Sequence, residues 1–410
     1  MSKCGDDPVR DACGHALAWL ALANGVGLWL ALMLWFPALN HSEWSYGRWV
    51  PVHLNLQLYG WTSLPLIAWL FRLYKADAES IRPWASAALW AWSASLVVGA
   101  VSWLSGMSSG KIFLDWTGGA LVSFLIAQVI LWIVLVAAWK RNQSTWDGKW
   151  RMGLLVVLMS LGMVPVSLWF ASSPAVYPPV DRSTGGPTGA SLLGSSLIVV
   201  GLMLAMPRVA RLVGHGIRGS WLWIYFGISW LAFFIFEHIG GTHRDVCQLI
   251  SMAMLLPWVW IIPRDWLGYE WPASSKSWRH AMIAWWGLLV LSGWLMYQPG
   301  VLDRMKFTQA LVGHSHLAMA GFTSSFCMLL MGLLTGSCVG SRWSVLIWNM
   351  AVLGMVIALK ISGWFEGGGW SWMLEAPLWR EIGWLVRAGC GLVMWLISVK
   401  WWLDWNQDHE

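Results

Sequence analysis

The sequence predicts an all-α membrane protein of about twelve transmembrane helices. Three observations predict it. Apolar residues make up 58% of the 410 positions and charged residues only 11%, where a soluble domain carries about 25% charged residues. Hydrophobic stretches of roughly 18–25 residues recur along the whole length, each long enough to cross a hydrocarbon core of ~30 Å. Tryptophan is used 39 times, and indoles favour the two membrane–water interfaces.

The hydropathy pattern predicts spans near 16–39, 50–71, 84–105, 112–139, 152–171, 188–207, 220–239, 247–263, 281–298, 308–335, 343–363 and 381–403. The opening MSKCGDDPVRDACGH lacks the short apolar core and small-residue cleavage site of a signal peptide, so the first span is expected to be retained. Cys4, Cys13, Cys247, Cys327, Cys338 and Cys390 form no CxxC or CxxCH pattern, which excludes covalent c-type haem and a zinc or disulfide framework. No tandem repeat or low-complexity tract stands out. The expected organisation is a cytoplasmic N-terminal segment (1–15), one membrane domain (16–404) and a cytoplasmic tail (405–410).

Placing both termini in the cytoplasm puts 17 Lys and Arg on that side and 7 on the other, with Lys360 and Arg387 left inside spans. This asymmetry supports an even number of spans and a bacterial-type inner membrane location. It also accounts for the net charge of +6, so the partner implied is the lipid bilayer and no nucleic acid is needed.

Ionisable groups inside spans are costly and point to function. With this topology His53, His238, His243, His314 and His316 fall at similar depth towards the outer leaflet. His314 and His316 stand two residues apart, about 200° around a helix. They therefore face opposite sides and suit two flat cofactors better than one small metal. A neutral imidazole is an axial ligand for haem iron, and Ala318 to Gly321 leaves room for a macrocycle. Histidines that merely pack helices across the bundle are the alternative at this point.

The segment Tyr46-Gly47-Arg48-Trp49-Val50-Pro51-Val52-His53-Leu54-Asn55 resembles the entry to the second helix of the haem–copper oxidase subunit I superfamily. Its nearest likeness is to the C-type (cbb-type) cytochrome oxidase and nitric oxide reductase branch. Val312-Gly313-His314-Ser315-His316 resembles the tenth helix, and the stretches Gly363–Gly367 and Leu385–Arg387 resemble segments of the last two. The resemblance implies a twelve-helix subunit I-like bundle with two haems, expected to be b-type. It implies His53 and His316 on the iron of a low-spin haem and His314 on that of a high-spin haem. Arg48 and Arg387 are expected near haem propionates, or, for Arg387, a glutamate such as Glu366 or Glu375. A cytochrome c-type electron donor is implied as partner.

The pattern fails at the second metal. The superfamily holds copper or non-haem iron with one histidine on the sixth helix and a His-His pair on the seventh. The sixth span here has no histidine, Thr242 replaces the first of the pair, His243 keeps the second, and Phe236 stands where C-type oxidases carry a tyrosine. Glu237 and His238 are nearby substitutes. His243, Thr242 and Glu237 are thus the candidate catalytic positions, with His243 and His238 as candidate ligands of a second metal. One imidazole does not hold copper tightly, so neither copper nor non-haem iron is expected at full occupancy. The implied function is a respiratory oxidoreductase passing electrons from a low-spin to a high-spin haem and on to dioxygen or nitric oxide. The alternative is a non-catalytic dihaem homologue for electron transfer or gas sensing.

Overall fold

A computed structural model describes residues 7–173, 175, 188–368 and 376–407. Lys3, Cys4, Arg182, Glu375 and His409, and the extreme ends of the two terminal segments, lie outside the described residues. The described chain is almost entirely helical, with one isolated bridge between Gly214 and Tyr269 and no strand. Ten of its helices are long and apolar enough to span a bilayer. The two other segments read as spans are also helical. One, Tyr46–Asn55 through Leu56–Thr62 to Ser63–Tyr74, is divided by a π-helical turn. The other, Lys276–Met296, opens on Lys276, Arg279 and His280 and is rich in tryptophan, which dilutes its hydropathy.

The chain divides into two compact units: Met1–Pro179 with Leu334–Gly340 and Gly391–Glu410, and Val180–Leu333 with Ser341–Cys390. In the first unit, α1 (Pro8–Trp35) starts where Asp7 accepts from the Val9 amide at 3.0 Å and Pro8 occupies the first turn. A carboxylate cap and an early proline both suit a helix start. Next come α2 (Tyr46–Asn55) and α3 (Ser63–Tyr74), joined by the π-turn, and then α4 (Arg82–Leu104) and α5 (Gly118–Asn142). The fifth predicted span is two helices, α6 (Gly148–Gly162) and α7 (Val164–Ser172). The break at Met163 precedes Pro165, whose ring cannot continue the helical ladder.

The second unit contains α8 (Gly189–Val209) and α9 (Trp221–Ile239). The eighth predicted span is likewise two pieces, α10 (Val246–Ala253) and α11 (Trp258–Trp266), and Pro257 precedes the second. Then follow α12 (Lys276–Met296), the short α13 (Val301–Met305), α14 (Gln309–His316), a second π-turn (Leu317–Thr323), α15 (Ser324–Thr335) and α16 (Arg342–Gly367). The final helix α17 (Pro377–Gln407) contributes to both units.

Candidate functional site

His53 lies on α2, and its Nδ1 is 2.8 Å from the Ala23 carbonyl oxygen of α1. A carbonyl only accepts, so Nδ1 carries the proton and Nε2 the lone pair. Gly27 makes this approach possible: a Cβ there would stand 2.7 Å from His53 Cε1. Two residues further, buried Asn55 donates through Nδ2 to the Pro51 carbonyl at 2.8 Å. It also lies 3.3 Å from Asp115 Oδ2, in the loop after α4. Burial pushes the Asp115 carboxyl up, although Ser108 and Asn55 hydrogen bonds oppose this.

The π-turn after His53 releases backbone carbonyls from the ordinary i−4 ladder, and side chains take them up. Thr62 Oγ1 donates to Gln57 O at 3.0 Å, Ser63 Oγ to Leu58 O at 2.9 Å and Trp92 Nε1 to Tyr59 O at 2.8 Å. Gly60 lies against Trp19, where a Cβ would come within 2.7 Å of the Trp19 Cβ.

The second unit repeats this module around His314. The two copies are far apart in the chain and are not a tandem repeat. His53–Ser63 and His314–Ser324 share the pattern His-x-x-Leu-x-x-x-Gly-aromatic-Thr-Ser, and each copy forms its π-turn at the same place. Ser324 Oγ donates to Met319 O at 2.9 Å and Trp348 Nε1 to Ala320 O at 3.2 Å. Gly321 lies against Trp285 as Gly60 does against Trp19. The helix before each module also matches, since Trp19 and Gly27 have the spacing of Trp285 and Gly293. Gly293 faces His314, with its Cβ position 3.7 Å from Cε1.

The two copies differ in how the imidazole is held. The position matching Ala23 is Leu289, whose carbonyl accepts from Ser292 Oγ at 3.4 Å. Ser292 Oγ in turn lies 3.4 Å from His314 Nδ1. A serine thus stands between ring and carbonyl where His53 bonds directly. His316 occupies the Asn55 place and makes the same local bond, Nδ1 lying 2.9 Å from the Val312 carbonyl. That bond again leaves the lone pair on Nε2. His53 and His316 therefore have the tautomer that suits a metal-binding Nε2 with a positioned Nδ1–H, whereas the Ser292 hydroxyl beside His314 Nδ1 can either accept or donate. This donor chemistry fits haem iron.

Arg48 donates through Nη1 to the Glu43 carbonyl at 2.9 Å and the Leu104 carbonyl at 3.1 Å. Buried Arg387 donates to Gln309 Oε1 at 2.9 Å. Glu366, one of its expected partners, instead accepts from the Gln309 backbone amide at 2.8 Å, at the start of α14. Gln309 therefore links the two side chains.

The candidate second-metal residues are not gathered into one set. Glu237 and His238 are exposed at the end of α9. Gly240 and Gly241, both with positive φ, then turn the chain. The Thr242 amide donates to Asp245 Oδ2 at 2.6 Å, and Thr242 Oγ1 lies 3.2 Å from the same oxygen. His243 is buried with Nε2 3.0 Å from Asp303 Oδ1, and its Nδ1 is buried without a hydrogen-bond partner. Asp303 also receives Arg244 at 2.9 and 3.0 Å and Lys306 at 2.7 Å. Among the described residues no three His, Cys, Asp or Glu side chains gather to hold a metal ion. Sequence reasoning missed Asp303, Ser292 and Gln309. It also missed Gly27 and Gly293, although the repeated Trp–Gly spacing before each histidine motif was a signal that could have found them.

Fold and site together define a multi-pass helical membrane protein in which two histidine-bearing helices have the same internal construction. No protein-family profile matches the chain. Cytochrome c oxidase subunit 1 of Rhodobacter capsulatus is 22% identical to it over 435 aligned residues, covering 93% of the chain and 78% of that protein. This similarity is spread over most of the length of the chain.

Proposed function

We propose that the chain is a respiratory haem-binding oxidoreductase of a bacterial-type inner membrane, with both termini in the cytoplasm. The observation that carries this reading is the hydrogen bonding of the histidines. Nδ1 of His53 and of His316 each meets a backbone carbonyl, at 2.8 and 2.9 Å, which places the lone pair of each ring on Nε2. The resemblance assigns His53 and His316 to a low-spin haem and His314 to a high-spin haem, both b-type. Bound haem would supply a redox-active iron that carries electrons and, where one axial position is open, binds dioxygen or nitric oxide. The protein's own part is to fix ring orientation. Ala23 does so for His53, Val312 for His316 and Ser292 for His314. Arg48 and Arg387 supply guanidinium groups for the propionates, to which Arg binds well in a fork. A cytochrome c-type protein or subunit is the proposed electron donor.

A specific observation favours a second, non-catalytic reading. His243 is engaged by Asp303, and α8 has no histidine. A chain that has lost the second metal would keep its haems for electron transfer or gas sensing. Haem and metal analysis of the purified protein, together with oxygen and nitric oxide consumption, separates the readings. Two haems per chain with fast gas reduction supports the oxidoreductase. Two haems without turnover supports the second reading, and no haem band in the optical spectrum removes both.

A further inference from the structure

Lys360 lies within α16, three residues from the end of the span predicted at 343–363. A cation in that setting has to be explained by its surroundings. The facing helix α14 presents Gly313, where a Cβ would be only 3.1 Å from Lys360 Cγ and Leu359 Cβ and 3.2 Å from Lys360 N. One turn along, Gly363 of α16 packs directly on the Ala310 backbone. Glycine at 313 and 363 thus lets the two backbones approach closely, as small residues do at membrane helix crossings. The Lys360 stem is thereby laid against the residue that immediately precedes His314. Lys360 thus lies on the face of α16 that packs against the turn of α14 carrying His314. Ser292 and Gly293 of α12 adjoin the His314 ring. No ion pair joins Lys360 to a carboxylate among the described residues. A lone charge in a medium of low dielectric acts at longer range and more strongly than it would in water.

We propose that Lys360 sets the reduction potential of the iron held by His314, its positive charge favouring the ferrous over the ferric state. This rests on the haem reading above. Ferric iron carries one more positive charge than ferrous, so a neighbouring cation disfavours it and raises the potential. The reaction concerned is the one-electron reduction of ferric to ferrous iron, with the electron supplied by the mediator of a redox titration. Lys360 acts through the field at His314, so its removal should spare haem binding and shift the potential.

The test is a spectroelectrochemical titration of the detergent-purified, haem-loaded protein and its Lys360→Met, Lys360→Gln and Lys360→Arg variants. The component followed is the one lost in His314→Ala. In Lys360→Met its reduction equilibrium should weaken tenfold or more, a fall of about 59 mV for a one-electron couple. Lys360→Arg should hold the wild-type value, and the component lost in His53→Ala should move less. An unchanged potential in Lys360→Met, or an equal fall in Lys360→Arg, overturns the proposal. If Lys360→Met does not assemble, Lys360→Gln is judged by the same criterion. Should neither uncharged variant assemble while Lys360→Arg does, the charge is structural and the proposal fails. A wild-type spectrum with no component dependent on His314 defeats the haem reading itself, and this inference falls with it.

Discussion

Nδ1 of His53 stands 2.8 Å from the carbonyl oxygen of Ala23, which ties the ring on α2 to the backbone of α1. A ring so held has one orientation and one tautomer, the condition for an axial ligand. His53→Ala and His316→Ala are each expected to abolish the low-spin haem, since in the proposed assignment each removes half of a bis-imidazole pair. His314→Ala should remove the high-spin component and leave the low-spin signal. Optical and electron paramagnetic resonance spectra check this, and loss of the same component in His314→Ala and His316→Ala would show the two-haem assignment to be wrong.

The glycines beneath the two histidines should respond differently to the same substitution. A Cβ at Gly27 meets His53 Cε1 at 2.7 Å, whereas one at Gly293 meets His314 Cε1 at 3.7 Å, ordinary contact distance. Gly27→Ala is expected to destabilise the protein by about 1–3 kcal/mol through overpacking and to perturb the His53-dependent spectrum. Gly293→Ala should be neutral or stabilising by up to ~1 kcal/mol, since alanine suits a helix better than glycine. Thermal unfolding in detergent distinguishes them, and equal losses would contradict the difference in clearance.

Asp303 should make stability depend on acid pH. Hydrogen bonds from Arg244 and then Lys306 hold its carboxyl well below the usual carboxylate range, with His243 adding a further bond. A carboxyl with a lowered folded-state pKa stabilises the protein fully above the unfolded value of about 3.9 and loses that contribution as pH falls towards the folded value. The cluster is part-exposed, so its effect should be modest and reduced by salt. Asp303→Asn should therefore melt lower than wild type at pH 7, and the gap should narrow below about pH 4. A gap that stays constant with pH would mean that Asp303 acts through packing alone.

Topology offers an independent check. Reporter fusions after residues 145 and 270 should both report cytoplasm, and the loops around Arg48, Arg244 and Arg304 should face outward. A periplasmic signal at either fusion would remove the argument that places the five histidines at one depth.

On the proposed reading, metal content should follow from the lack of a histidine in α8 and at position 242. Purified protein is expected to hold no stoichiometric copper and to consume oxygen slowly or not at all. One copper per chain with cyanide-sensitive oxygen uptake would show that the second-metal ligands lie elsewhere in the chain.

The sequence by itself determined the helical membrane class and the positions of His53, His314 and His316. Those features follow from apolar run length and from the rarity of ionisable groups inside such runs, both local properties. Span interruptions at Met163 and before Trp258 were partly visible in Pro165 and Pro257. The π-turns were not, because a π-turn forms where side chains from other helices, such as Trp92 and Trp348, take up the released carbonyls. Only the tertiary structure paired His53 with Ala23, placed Ser292 between His314 and Leu289, and brought Asp303 to His243. In each case the partner comes from another stretch of chain, and its choice depends on how closely two backbones approach. Gly27 sets that distance for His53, as Gly313 and Gly363 do for the contact of α14 with α16, and their effect becomes visible only when the facing helix is known.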